Sequence, residues 1–429
     1  MGTDAGRSAG IAAQGVPAWD RFAHSPQLRA RLALAALLLL VLASALAPIE
    51  AGTSKVTTKS FVENLAGKRV GEVERQRDED LALYDRAIER IQHGENYYDF
   101  IAGEHRRANY PVTPGLAVRL PTLAYIDAFL GVSGQIAAAM VLLLAVLVAW
   151  WRRLGEEPGS DQRRHAILAW LFVGASLGLN RYYFVLHELW AGMLLVLAFG
   201  LHRVRNDPSP PGKGNQPQAD GDGLRSVTAP LPSGAHGPAT SRGKGGSWGW
   251  SLAVAALALA IREHALPFVL LMGAMAFWRR DWKEGVAWSA LAALFLIALT
   301  IHLQIIAAQV LPSDRPSDPW LAMRGLSGWL SNIVLSSNLR FLPHWLAGPA
   351  VMLMLAGWAG WRSAAGTFGT FLYLGYGLAF MIAGRPDNFY WGAMIAPAMF
   401  IGLAFAPRAL GSLARAAFPA RPTVLAFAK

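Results

Sequence analysis

The 429-residue chain has no cysteine, which excludes disulfides, thiolate metal sites and cysteine nucleophiles and leaves the redox compartment unread. It is poor in charge: 16% of its residues are charged, where a soluble globular chain carries about 25%. Acids are scarcer than bases, 28 Asp and Glu against 39 Lys and Arg, giving a net charge of +11. The bases mostly flank apolar segments. They therefore read as topology signals and attraction to anionic lipid, not as a nucleic-acid surface. There is no P-loop, no dinucleotide-binding strand pattern and no internal repeat at a fixed period.

What is present is hydrophobic sequence. Apolar residues make up 54% of the chain, and its 16 tryptophans suit the two water–lipid interfaces. The fold expected is all-α, a polytopic membrane helix bundle with about ten transmembrane helices and a large extracytoplasmic first loop carrying amphipathic helices. A first span covers Leu32 to about Ala47, read as retained although ASALA resembles a signal-peptide cleavage site. Further spans follow at 134–151, 166–179 and 183–201, then at 286–310, 347–361, 366–382 and 389–406. The organisation is a disordered cytoplasmic N-terminus (1–30), a first membrane part (31–202) with its outer loop (50–133), a disordered cytoplasmic linker (203–247), a second membrane part (248–408) and a cytoplasmic tail (409–429). The linker is rich in Pro, Gly, Ser and Asn, a composition that buries too little surface to fold.

The run from Trp248 to Trp278 settles the count. As one helix it would be about 46 Å long, too long without strong tilt. Both flanks are basic, and LAIREHALPF interrupts it with Arg262, Glu263 and His264. A charge at bilayer depth costs roughly 2.5–3.5 kcal/mol, so the chain is expected to turn back at Arg262–Pro267 on the outer side. Both termini and every short basic loop then fall on the cytoplasmic face. Four polar groups gather on the opposite face: Tyr182, Tyr183, His187 and Glu188; Arg262, Glu263 and His264; His302 and Gln304; and Arg385, Asp387, Asn388 and Tyr390. Solvated loop ends and snorkelling side chains would explain any one of them, and GRPDN is ordinary turn chemistry. Four on one side point to a polar cavity facing outward.

The long outer loop holds an amphipathic helix from Asp80, with Leu81, Tyr84, Ile88 and Ile91 on its apolar face. Asp78, Glu79 and Asp80 at its start also suit a helix N-terminus. One span, a large outer loop with surface helices and an acid, then many spans resembles the GT-C superfamily of integral membrane glycosyltransferases. DLALY at Asp80, GENYY, YPVTP followed by RLPTL, HELWAG, IRE and RPDNFYWG resemble more closely a bacterial group of GT-C-like membrane proteins whose activity is inferred. The likeness covers about residues 75–405 outside the linker.

That resemblance implies transfer of a sugar from a polyprenyl phosphate to a glycan or lipid acceptor, with inversion, on the periplasmic face of a bacterial inner membrane. It makes Asp80 the best match to the family's loop acid, with Asp78 and Glu79 as rivals and Glu188 as a further catalytic candidate. The family acid often lies sooner after the first span, a place that Glu50 or Glu63 holds here. Displacing a phosphate needs a carboxylate to deprotonate the acceptor and positive charge for the leaving group. Arg119, Arg262 and Arg385 offer that charge, and His187, Glu263, Asp387, Asn388 and Tyr390 complete the expected binding set. A divalent cation, Mg or Mn, shared by Asp80 and Glu188 would serve the same end. The alternatives are a transporter or lipid flippase, which needs polar residues near the midplane and access from both faces, and a non-catalytic scaffold.

Overall fold

The computed structural model describes residues 17–50, 79–204 and 248–419. Asp78, Glu63, the side chain of Glu79 and nearly all of the expected linker lie outside them. Among the described residues the chain is helical, with no strand and only isolated bridges between extended residues. Five segments are long and apolar enough to cross a membrane: Gln27–Leu46, Gly115–Leu154, Trp282–Ala307, Ala364–Ile382 and Ala396–Ala417. This is the make-up of a helical membrane protein. The remaining apolar helices are shorter, because polar joints interrupt them.

In chain order, α1 is Gln27–Leu46, followed by α2 (Glu79–Gln92), α3 (Tyr97–Arg107), α4 (Thr122–Leu154), α5 (Arg164–Ala175) and α6 (His187–Leu201). After the linker come α7 (Gly249–Ile261), α8 (Leu266–Trp278), α9 (Trp282–Ala307), α10 (Gly325–Leu335), α11 (His344–Gly360), α12 (Ala364–Ile382), α13 (Ala396–Met399) and α14 (Ile401–Ala417). At 15 residues α6 is about 22 Å long, less than the roughly 30 Å of a hydrocarbon core.

The long apolar run breaks where its charges stand. Arg262 leaves the helix with φ −146 and ψ 120, and the chain restarts with Pro267 in the first turn of α8, where a missing N–H does no harm. Ser251 near the start of α7 donates to the Ala198 carbonyl at 2.8 Å. Beyond the end of α8, Arg279 reaches Glu284 at 3.1 Å, and Glu284 lies 2.7 Å from His202, just past α6. The two far ends of the run therefore lie together, and Arg262–Ala265 is the turn between them.

The outer-loop helix is present as α2, followed by α3, which Asn96 caps by accepting from the Tyr98 amide at 3.0 Å. The two pack on each other and on the start of α4, making a cap over one end of the bundle. Of the expected stripe Leu81 is buried and Ile88 and Ile91 are half-buried against the cap's core, and the buried face widens to include Leu83 and Ala87. Several stretches depart from expectation. The N-terminus is structured from residue 17, with Asp20 and Ala30 buried, and α4 starts at Thr122 inside the expected outer loop. The expected span 389–406 is broken between a 3-10 segment (386–394), α13 and α14. The expected outer connection between the spans 286–310 and 347–361 is not loop throughout: Gly325–Leu335 forms α10, buried continuously from Gly328 to Val334. The expected tail begins as helix, since α14 runs to Ala417 and Arg408 pairs with buried Asp20 at 3.1 Å.

Two glycines permit the close approach that shapes the capped end. A Cβ on Gly192 of α6 would stand 2.2 Å from the Ala393 carbonyl, and one on Gly392 would stand 1.9 Å from the Asn332 carbonyl of α10. The segment 386–394 is thereby pressed between α6 and α10, which brings Tyr390 to the start of α6.

Candidate functional site

Glu188 sits in the first turn of α6, fully buried, and Arg262 at the α7–α8 turn is 1% exposed. Arg262 Nε lies 2.7 Å from Glu188 Oε1, a close ion pair whose N–H is not aimed along a hydrogen bond. Arg262 also donates to Glu263, whose Oε1 lies 3.0 Å from His264 Nδ1. From the start of α4's apolar segment, Arg119 reaches the same carboxylate at 3.5 Å. Its guanidinium donates to the hydroxyls of Tyr84 at 3.0 Å and Tyr390 at 3.2 Å. Side chains from the cap, α6, the α7–α8 turn and the 386–394 segment thus meet at one point.

His187 precedes Glu188 and is equally buried. Its Nε2 donates to the Leu120 carbonyl at 3.3 Å, while Nδ1 has no partner. The ring stands 5.1 Å from that of Tyr84. On the far side, His264 packs against Trp391 at 4.4 Å, and the Tyr376 hydroxyl donates to the His264 carbonyl. Asp80 opens α2 one turn ahead of Tyr84 and is half-buried. Burial raises the Tyr84 hydroxyl pKa, Arg119 opposes that rise, and the Asp80 carboxylate adds to it, which puts Asp80 within electrostatic reach of the cluster.

Of the expected residues, Arg119, His187, Glu188, Arg262, Glu263 and Tyr390 come together, with Asp80 within electrostatic reach of Tyr84 and Tyr390. Asn388 joins at the edge, donating to the Tyr390 hydroxyl at 3.3 Å. Arg385 and Asp387 do not: they pair with each other at 3.1 Å, and Arg385 reaches across to Ser317 and the Asp318 carbonyl. They stitch two connections together, as turn residues do. His302 joins the cap to the bundle through Tyr98 at 3.0 Å and the Val118 carbonyl at 3.2 Å. Glu50 lies near α10, its amide donating to Ser331 at 3.1 Å.

Tyr84 is the residue the sequence hides. Its apolar spacing made it a surface-seeking position, yet its hydroxyl accepts from Arg119. Among the described residues no group of three or more His, Asp or Glu is placed to hold a metal ion, and the Glu188 oxygens face two guanidiniums. Counting Arg119 and Arg262 against Glu188 and Glu263, the buried cluster balances its own charge. No family model, curated protein or solved structure matches the chain.

Proposed function

We propose that this protein is a membrane glycosyltransferase of GT-C type, moving a sugar from a polyprenyl phosphate to a glycan or lipid acceptor. In this reading the capped end faces the periplasm, about ten segments cross or enter a bacterial inner membrane, and both termini are cytoplasmic. The observation that carries it is the meeting of Glu188 and Arg262, 74 positions apart in sequence, with Arg119 beneath the acid-bearing cap helix.

Arg119 is the ligand for the departing phosphate: its side chain is 12% exposed, and its bonds to two phenol hydroxyls are exchangeable for phosphate oxygens. Asp80 is the base that takes the acceptor proton. Glu188 is held between guanidiniums, a position that suits fixing them in place better than accepting a proton. A divalent cation would have to be completed by the substrate phosphate. The broken helix at Arg262 also suits a transporter, and a second buried polar group, Glu284 with His202 and Arg279, lies at the other end; the acid-bearing cap over Arg119 is what favours the transferase.

The test uses full-length protein in nanodiscs with radiolabelled polyprenyl-phosphate mannose and a panel of glycan acceptors. Transfer by the wild type, lost in Asp80→Asn with unchanged thermal stability, is the expected result. Transfer at the wild-type rate by Asp80→Asn removes the residue assignment. Label carried across the bilayer of sealed vesicles without any transfer replaces the enzyme reading with the transporter.

A further inference from the structure

Buried polar atoms without a hydrogen-bond partner are not spread evenly through the molecule. Among the described residues, five of them belong to His187, Glu188 and Arg262, none of which is more than 2% exposed. An orphaned buried donor or acceptor is expensive, and native interiors keep few of them.

The geometry of the ion pair explains which atoms are left over. Both guanidiniums approach the same oxygen: Arg262 Nε stands 2.7 Å and Arg119 Nη2 3.5 Å from Glu188 Oε1. Glu188 Oε2 is left without a hydrogen bond. So is Arg262 Nη2, since Nη1 is the nitrogen that donates to Glu263. His187 adds a second acceptor. Its Nε2 faces the Leu120 carbonyl, which can only accept, so the proton of the neutral ring sits there and Nδ1 keeps a bare lone pair. His187 is joined to the ion pair through Tyr84, whose ring lies 5.1 Å away and whose hydroxyl bonds Arg119. Beside them, a cleft lined by Leu186, Leu189, Leu335, Phe389 and Tyr390 reaches the second phenol on Arg119.

Unused acceptors beside an unused donor select the ligand. A metal cation would be repelled by two guanidiniums, and a bare anion would meet the Glu188 carboxylate. A hydroxyl donates and accepts at once, and a sugar ring spreads several of them around its edge. We propose that Glu188 Oε2, His187 Nδ1 and Arg262 Nη2 form a subsite that reads the hydroxyls of a sugar ring. The two acceptors take hydroxyl protons, and the guanidinium donates to a hydroxyl oxygen. The subsite rests on the glycosyltransferase reading and divides the labour within it: Arg119 takes the phosphate, and these three residues discriminate between sugars. A site built this way rejects an analogue that lacks one hydroxyl, because its own buried partner is then stranded.

The test measures binding, not turnover, by calorimetry on the full-length protein in nanodiscs. The probes are citronellyl phosphate, its mannosyl, glucosyl, galactosyl and arabinosyl esters, and the matching methyl glycosides. In the wild type at least one ester binds roughly tenfold or more tighter than citronellyl phosphate, and deleting one hydroxyl of its sugar loses that gain. His187→Gln keeps a donor for the Leu120 carbonyl and removes Nδ1, so it weakens the preferred ester by about tenfold and leaves citronellyl phosphate unchanged. The same His187 dependence in a methyl glycoside, with no preference among the esters, assigns the subsite to the acceptor's sugar. Deoxy sugars that bind as well as their parents overturn the proposal, and that series needs only the wild type. So does binding of no sugar at all, or a His187→Gln loss shared equally by citronellyl phosphate. Sugar preference without transfer leaves the subsite standing and removes the transferase; transfer by a protein indifferent to the hydroxyls does the reverse.

Discussion

Glu188→Gln isolates what the buried ion pair contributes. The side chains of Glu188 and Arg262 are each 1% exposed, so solvent screening gives no reason to discount their interaction. Removing one partner of a buried pair typically costs roughly 3–5 kcal/mol, because the survivor is left charged and dry. Arg262 keeps Glu263, which places the expected loss near the lower end, at about 3 kcal/mol. Two guanidiniums that Glu188 now separates would also face each other without it. Arg262→Met should be comparably harmful, since it leaves Glu188 with only the longer Arg119 contact at 3.5 Å. The double variant removes both charges, so its loss should fall short of the sum of the singles by at least about 1.5 kcal/mol. The assay is reversible unfolding in mixed micelles for the four proteins of the cycle. A single Glu188→Gln loss within about 0.5 kcal/mol of zero, or additive singles, would mean that the pair carries no buried coupling and that the site's geometry is misread.

The other expectations test separate parts of the molecule. Burial lowers the His105 pKa to about 4, so the unfolded chain takes up a proton near pH 6.5 that the folded cap refuses. Stability should therefore be full above pH 6.5 and fall by about 3 kcal/mol as the pH drops toward 4; His105→Asn should flatten that slope in a pH series of melts. Asp314 is held at about 2, first by the Arg106 guanidinium and then by the Leu311 amide, so Arg106→Gln should speed proteolysis within residues 311–320 while leaving the bundle intact. A Cβ on Gly357 of α11 would stand 1.8 Å from the Gly402 carbonyl of α14, so Gly357→Ala should cost about 1–3 kcal/mol or more in the same unfolding assay. An unchanged midpoint there would show that the two helices do not meet at that contact.

Apolar runs and their interruptions made much of the fold legible. The charges at Arg262–His264 mark the turn between α7 and α8 because no helix carries them cheaply through lipid, and the stripe from Leu81 marks α2 because a cap must bury one face. Membrane hydropathy is silent on which apolar helices are buried by protein. Gly325–Leu335 therefore looked like a loop between spans, although α10 is packed on all sides. The Gly131 break was invisible for a related reason: glycine is common in membrane helices, and nothing local shows which one leaves the helix. The site was legible as a set of residue types on one end, not as contacts. Arg385–Asp387 and Arg262–Glu188 are each a guanidinium with a carboxylate, and only the tertiary fold decides that the first pair closes a turn and the second joins two helices.

The balance of charge in the cluster bears on how any anion would enter it. Arg119 and Arg262 face Glu188 and Glu263, so the buried group carries no surplus positive charge waiting for a phosphate. Displacing either carboxylate would return a buried charge to solitude, which the packing around α6 opposes. Exchanging neutral partners is cheaper, and Arg119 has two: the hydroxyls of Tyr84 and Tyr390. Tyr390 is pinned beside α6 by the close approach of Gly192 to Ala393, whereas Tyr84 rides on α2, which packs on α3 and α4 through side chains. Tyr84 and Tyr390 are thus the partners of Arg119 that an anion would replace at least cost, with the Glu188–Arg262 pair left in place. Helix α2 also carries Asp80 near its start, so one element of the cap bears both the acid and the phenol over Arg119.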